Sequence, residues 1–489
     1  MAGHHLHALA QLLLFVLSIV YLCTPSYVLA TQQELLVGFT AKPEPSVSSY
    51  QPLLNDSTGN FSMGFLRLHR TQLALVVIHV RSLEPLWQAD PTSTFHWSDQ
   101  TQIDFNGSLL ISDPQTGFWS TGTQGDKVVL LNDSNLQIQK LGASPEVIWQ
   151  SFDYPTNTLV TNQNFTSKMS LVSSNGLYSM RLGDNFMALY AKFATKADHI
   201  CWKHKALEAR ANIVEGKGPI YARINSDGFL GMYQTNDAAV DMQTFKSFHR
   251  SLDAFLMVRL EQDGNLRGYY FDGTNWVLDY QAIANSCELP SPCGSYSLCG
   301  PSSACSCLDN RTENSGGCSV NHESSGDFCG ILEPENSFTV LRRKAVELPF
   351  KELMSYTVES SLDQCETLCA NNCSCWGVVY SNTSQFCYLV DYPIQTLLRI
   401  GDESKSGYFK VKQEAKKKSE VRFTIGIGAL CVSILLMIGA GVGGGYRVWR
   451  RRKELNRTRS EDDGVLPGPY KELGSASFKS IEMCSGSKE

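Results

Sequence analysis

The sequence predicts a mainly β ectodomain, stapled at its C-terminal end by disulfides and carried on one transmembrane helix. Three observations lead there. Residues 31–283 alternate apolar and polar positions between turn residues, without long amphipathic helical runs. Twelve cysteines crowd into the stretch 287–387. A single run, 423–445, holds 23 residues without a charge.

At 489 residues the chain has room for two to four ordinary domains. Net charge is −6 and pI about 6.0, with both signs interspersed, which argues against a nucleic-acid partner. Residues 1–30 read as a secretory signal: 9–22 is almost entirely apolar, and the small-residue site Val28-Leu29-Ala30 follows. His4, His5 and His7 stand where Lys or Arg is usual. The run 423–445 suffices for a ~30 Å hydrocarbon layer at ~1.5 Å per residue. Arg447, Arg450, Arg451, Arg452 and Lys453 follow it as a cytoplasmic flank. Lys416, Lys417, Lys418 and Arg422 precede it, so local charge alone sets no orientation. The signal does: a single-pass type I protein of the plasma membrane with its N-terminus outside. Asn-x-Ser/Thr sequons begin at Asn55, Asn60, Asn106, Asn132, Asn164, Asn310, Asn372 and Asn382, all before the span, and only Asn456 lies beyond it.

Of 16 cysteines, Cys23 leaves with the signal, Cys431 is in the span and Cys484 in the tail. Cys201 stands alone among residues 31–283, either buried and inert or available to bridge two chains. An even dozen in about 100 residues of an exported chain is a disulfide framework. Zinc is the alternative for Cys305-x-Cys307 and Cys373-x-Cys375, but thiolate sites need a reducing compartment, so no metal is expected. Cys287, Cys293, Cys299, Cys305, Cys307 and Cys318 form one cluster. Cys329, Cys365, Cys369, Cys373, Cys375 and Cys387 form the other, where the i, i+4, i+8 spacing predicts three cysteines on one helix face.

The cysteine-poor half carries weak internal repeats. DFNGSLLIS (104–112) returns as LNDSNLQIQ (131–139), and NSDGFLGMY (225–233) as EQDGNLRGY (261–269). Each resembles the Q-x-D-x-N-x-V-x-Y strand of bulb-type lectins. Side chains two apart on a strand share a face, so such a row can hold the hydroxyls of a mannose. The best copy offers Glu261, Asp263, Asn265 and Tyr269, with Arg267 in the Val place. Asp133 and Asn135, or Asp227 and Tyr233, remain in others, and a shifted register pairs Gln102, Asp104 and Asn106. Scaffold residues in turns and strands are the competing reading of these rows, and the eroded pattern favours it.

WQSFDYPTNTLV (149–160) resembles the W-x-S-F-D-x-P-T-D-T-L signature of plant S-locus glycoproteins and G-type lectin receptor kinases, departing only at Asn157. The likeness covers about residues 31–450. It implies two tandem bulb-lectin-like β-prism domains (31–165 and 166–283), an EGF-like module (284–320), an α+β PAN/apple module (329–411), the membrane helix (423–445) and a cytoplasmic tail (446–489). It further implies the pairs Cys287–Cys299, Cys293–Cys305 and Cys307–Cys318 in the EGF-like module. In the PAN module it implies Cys365–Cys387 and Cys369–Cys375, which leaves Cys329 with Cys373.

Past the span only 44 residues follow, without a glycine loop, H-R-D or D-F-G, so a kinase-less receptor-like protein is expected. Gly439, Gly441 and Gly444 match G-x-G-x-x-G inside the span, where phosphate has no access. Gly439-x3-Gly443 and Gly441-x3-Gly445 instead offer close helix approach and a homodimer. The tail reads as unstructured until bound, with Tyr470, Ser475, Ser477 and Ser480 as acceptors for phosphate. The expected partners are an extracellular glycan or protein ligand and a co-receptor kinase, with no cofactor. A membrane-anchored mannose-type lectin is the alternative function. An enzyme built on Cys201 and His204 in CWKH is a third, for which no oxyanion donor can be named.

Overall fold

The computed structural model describes residues 32–193, 198–206, 220–234, 237–244, 254–309, 318, 328–329, 338–412 and 419–457. The signal segment, the Asn310 sequon and the tail beyond Arg457 lie outside the described residues. Two units result, 1–413 and 414–489.

The first unit begins with three antiparallel sheets that form a β-prism, two of four strands and a third of five, in which Phe95–His96 also pairs with Gln72–His79. Glu34–Leu36 joins Lys127–Leu130, Leu136–Lys140 and Glu146–Gln150; Phe39–Ala41 joins Gln102–Phe105, Leu109–Asp113 and Gly117–Ser120; and Tyr50–Asn55, Phe61–His69, Gln72–His79 and Glu84–Gln88 make the third. The alternation in Leu109–Asp113 puts Leu109 and Ile111 fully inside and Leu110 and Ser112 outward, as period-2 patterning requires. The last strand of each sheet contributes one indole, from Trp87, Trp119 and Trp149, and these meet edge to face at 5.8 to 6.3 Å. Such geometry adds about 0.5–1.5 kcal/mol per pair beyond the buried area.

A second prism repeats the topology. Thr158–Val160 joins Leu256–Leu260, Leu266–Phe271 and Trp276–Gln281; Phe165–Thr166 joins Tyr221–Ile224, Phe229–Gln234 and Ala238–Thr244; and Leu171–Val172, Tyr178–Leu182, Phe186–Ala191 and His199–Lys205 complete it. This prism begins earlier than the sequence division at 165/166. Leu159 and Phe165 are fully buried in its core, so Thr158–Val160 and Phe165–Thr166 belong to it.

The internal repeats mark equivalent turns. Gly107, Ser134, Gly228 and Gly264 occupy the same column of the four segments and all have left-handed φ, at 105°, 74°, 83° and 84°. Glycine suits that conformation; Ser134 adopts it with a side chain.

The prisms touch through aromatic rings. His79 lies within 5.9 Å of Phe61, Phe255, Phe271 and Trp276. Arg259 of the second prism donates through Nε to Thr158 Oγ1 at 3.0 Å and through Nη2 to the Pro85 carbonyl at 2.7 Å, and pairs with the Glu84 carboxylate of the first.

In the cysteine-rich region, Ser297–Cys299 pairs with Cys305–Cys307 and, in parallel, with Thr396–Arg399, which also pairs with Val346–Glu347. The modules divided at 320/329 in the sequence therefore share one sheet. A five-stranded sheet follows in the order Phe338–Lys344, Lys405–Lys412, Gly377–Ser381, Phe386–Val390, Thr357–Val358, with helix α1 (Leu362–Ala370) packed against it. Ser361 caps α1, its Oγ accepting from Gln364 N–H at 3.3 Å. The three-cysteine helix face expected from spacing is corrected. The helix stops at Ala370 with Asn371 as its cap, so Cys365 and Cys369 face inward from α1 while Cys373 lies beyond it.

The second unit contains helix α2 (Ser419–Arg457). Within it, Val432–Lys453 is long and apolar enough to cross a membrane, and Leu435, Leu436, Met437 and Ile438 are each more than half exposed, as lipid-facing groups require.

Candidate functional site

The row expected to bind sugar is arranged differently from a straight strand face. Glu261, Asp263 and Asn265 sit in the turn before Leu266–Phe271, and only Tyr269 is in the strand. The Asp263 carboxylate accepts the Asn265 N–H at 3.0 Å, and the left-handed Gly264 between them breaks the extended run. A Cβ at Gly264 would meet the Tyr178 ring at 2.9 Å, so the turn is closed against the next sheet.

All four side chains already have partners within the chain. Arg267 clamps Asp263 with two bonds, at 3.1 and 2.5 Å. Tyr269 donates its hydroxyl to Glu261 at 2.7 Å, and burial, then that carboxylate, pushes the phenol pKa far above its usual range. Asn265 is 2% exposed; its amide donates to the Ile283 carbonyl at 2.9 Å and accepts from the Ile283 N–H at 3.0 Å. The equivalent Asn135 in the first prism is likewise buried, donating to Gln150 Oε1 at 2.9 Å. Gln102 donates to Asp104 at 2.6 Å, and Tyr233 is buried with its hydroxyl on Met242. Buried amides paired to the next strand hold sheets together. Arg267, where a bulb-type strand has Val, sits over the acid a sugar hydroxyl would need.

Cys201 is buried, and burial pushes its thiol up to about 12, the wrong direction for a nucleophile. His204 lies three positions along the same strand, beyond the register shift at Cys201, and pairs with Asp241 instead. The Cys–His enzyme reading loses its nucleophile.

Six disulfides join Cys287–Cys299, Cys293–Cys305, Cys307–Cys318, Cys329–Cys373, Cys365–Cys387 and Cys369–Cys375, with Cα separations of 4.7 to 5.8 Å. Beside them Lys410 is 1% exposed. Its ammonium donates to the Cys369 and Asn372 carbonyls at 2.8 and 3.1 Å, supplying the C-terminal end of α1 with a cation, while burial lowers its pKa. Among the described residues no cluster of His, Cys, Asp or Glu is placed to hold a metal ion. Among the sequons, Asn60, Asn106, Asn132, Asn164, Asn372 and Asn382 are exposed, and Asn55 is half-buried.

The sequence reading overlooked the Trp87, Trp119 and Trp149 trio. Its signal was available as PLWQ, GFWS and VIWQ, 32 and 30 residues apart.

Two prisms, a shared-sheet disulfide block and a candidate membrane helix define a single-pass membrane protein of the bulb-lectin and S-locus glycoprotein class. The family model described as D-mannose binding lectin matches residues 84–181, and the S-locus glycoprotein domain matches 224–312. A PAN domain-containing protein of Arabidopsis thaliana is 53% identical over 92% of this chain and 92% of its own length, and the chain belongs to its family. A G-type lectin S-receptor-like serine/threonine-protein kinase of the same plant, SD2-5, is 23% identical over 90% of this chain but 56% of its own; the chain thus spans about half the length of such kinases. Among solved structures, the two-domain, fetuin-binding agglutinin of Scilla campanulata is 17% identical over 51% of this chain and 94% of its own, with a TM-score of 0.20.

Proposed function

We propose that the protein is a kinase-less receptor-like glycoprotein of the plasma membrane, its N-terminus extracellular, which recognises an extracellular ligand or protein partner and signals through an associated kinase. One observation carries this reading: this chain matches a PAN domain-containing relative along 92% of that relative's length, and a receptor-like kinase along only 56% of the kinase's. The buried, high-pKa Cys201 supports a binding rather than a catalytic role. Eight sequons on the lumenal side support the glycoprotein assignment. Gly439, Gly441, Gly443 and Gly445 of α2, with open space where a Cβ would stand, suit a homodimer through the span.

Proximity labelling from the C-terminus in living plant cells tests the reading. A receptor kinase enriched above an unrelated single-pass protein is the expected result; a labelled set without any kinase would overturn it. The second reading, a membrane-anchored mannose-type lectin, rests on the D-mannose binding lectin match at 84–181. The internally engaged row of Glu261, Asp263, Asn265 and Tyr269 weighs against mannose at that place.

A further inference from the structure

Where the three final strands of the first prism converge, the fold leaves an open cleft of about 390 Å³. That volume is within the ~300–1,000 Å³ of small-molecule sites. Its floor is the indole trio Trp87, Trp119 and Trp149. Tyr154, from the segment leading into the second prism, stacks on Trp149 with centroids 5.7 Å apart and planes 11° apart. The Tyr154 backbone is held in place, because Trp87 donates its indole N–H to the Tyr154 carbonyl at 2.9 Å. Tyr154 as a whole is 58% exposed, which leaves it open to solvent at the cleft mouth.

The rim is polar and of both signs. Lys168 comes from the second prism, exposed and without an ion pair among the described residues. Asp153 receives a bond from Gln150 at 3.1 Å on one oxygen only, and Gln88 donates to the Asp90 carbonyl at 2.6 Å, leaving its own oxygen open. The Trp119 indole N–H finds no acceptor among the described residues, although this ring lines the cleft.

We infer that this cleft binds a hexopyranose unit of a neutral glycan, stacked on the exposed Tyr154 ring beside the half-buried Trp119 and hydrogen-bonded at Asp153, Lys168 and Gln88. Aromatic faces match the C–H faces of a pyranose, and a rim holding donors and acceptors together matches its hydroxyls. A purely anionic ligand would meet Asp153, and a lipid tail would need an apolar enclosure that this open, polar-rimmed cleft lacks. The site is separate from the polar rows, which are closed by their own contacts. The glycan has two sources, an external one and the chain's own glycan at Asn164, which is exposed and four positions before Lys168. The inference rests on the reading of a recognition ectodomain and adds the chemical class of ligand; failure here leaves the labelling test of that reading untouched.

The test uses the full chain in lipid nanodiscs on an array of neutral N-glycans and cell-wall oligosaccharides, with hits titrated by tryptophan fluorescence. Tyr154→Ala, at an exposed ring, raises the dissociation constant at least about tenfold. Lys168→Ala raises it by a smaller factor, and Glu261→Gln leaves it unchanged. Asn164→Gln separates the sources: tighter array binding identifies the chain's own glycan as a competitor, unchanged binding an external ligand. The inference is overturned if neither the wild type nor Asn164→Gln binds any neutral glycan. Binding that survives Tyr154→Ala but is lost in Glu261→Gln overturns it equally.

Discussion

In the first prism the described residues contain no disulfide, and its buried apolar side chains form one core cluster of 23 that includes Trp87 and Trp149 and reaches Val160 and Met257 of the second prism. In the block from 287 to 387, six bridges tie short strands and one nine-residue helix, and four of the seven buried residues in its local cluster are bridged cysteines. The same chain thus closes one region by area and the other by covalent links. Long antiparallel strands such as Phe61–His69 and Gln72–His79 bury enough apolar surface to stand alone. The disulfide block has no strand pair of that kind at its centre, where Cys305–Cys307 and Val346–Glu347 are three and two residues long.

That contrast can be broken experimentally, beginning with the largest effect. Full reduction by dithiothreitol should make 287–412 protease-sensitive while the first prism keeps its β circular dichroism. Loss of both together would erase the distinction. Even one bridge, removed as Cys365→Ser with Cys387→Ser, should cost about 2–5 kcal/mol in chemical denaturation. Next, Trp149→Ala should cost the first prism about 3–5 kcal/mol through the cavity it leaves, with the disulfide block still resistant to protease.

The junction between prisms gives smaller effects. Arg259→Met removes the bonds to Thr158 and Pro85 and the pair with Glu84. It should cost about 1.5–3 kcal/mol, the range for charge-assisted bonds, read as separate melting of the two prisms. Smallest is the pH response of His79. Burial, then Arg81, lowers its pKa from the ordinary 6.5. The neutral ring is therefore the folded form, and its contribution is complete above pH 6.5 and lost as pH falls through the lowered value. A fall in melting temperature between pH 7.5 and 5 that is flattened in His79→Gln would verify this; an equal fall in both would remove His79 from the account.

The two regions also differ in what the sequence revealed. Turn residues in register at Gly107, Ser134, Gly228 and Gly264 made the repeats visible, because a left-handed φ restricts residue choice locally. The cysteine block was visible from number and compartment alone. What escaped depended on distant partners. Asp263 was readable as a polar position, but its capture by Arg267 depends on where the turn aims both side chains. The parallel pairing of Ser297–Cys299 with Thr396–Arg399 joins residues 99 apart, and no local pattern announces it. The end of α1 at Ala370 was hidden because cysteine spacing suited a longer helix, while Asn371 and Asn372 were the stop signal. Thr158–Val160 looked like the end of one prism since its signature motif runs into it, yet its hydrogen bonds go to Leu256–Leu260.

The closing strand of the first prism has a consequence for biosynthesis. Glu34–Leu36 pairs with Lys127–Leu130, and the Glu34–Lys127 contact alone spans 93 residues. At ~5–20 residues per second, the growing chain waits on the order of 5–20 s before that sheet can shut. If the chain is glycosylated as proposed, Asn55, half-buried once the prism is complete, is open to modification only during this interval.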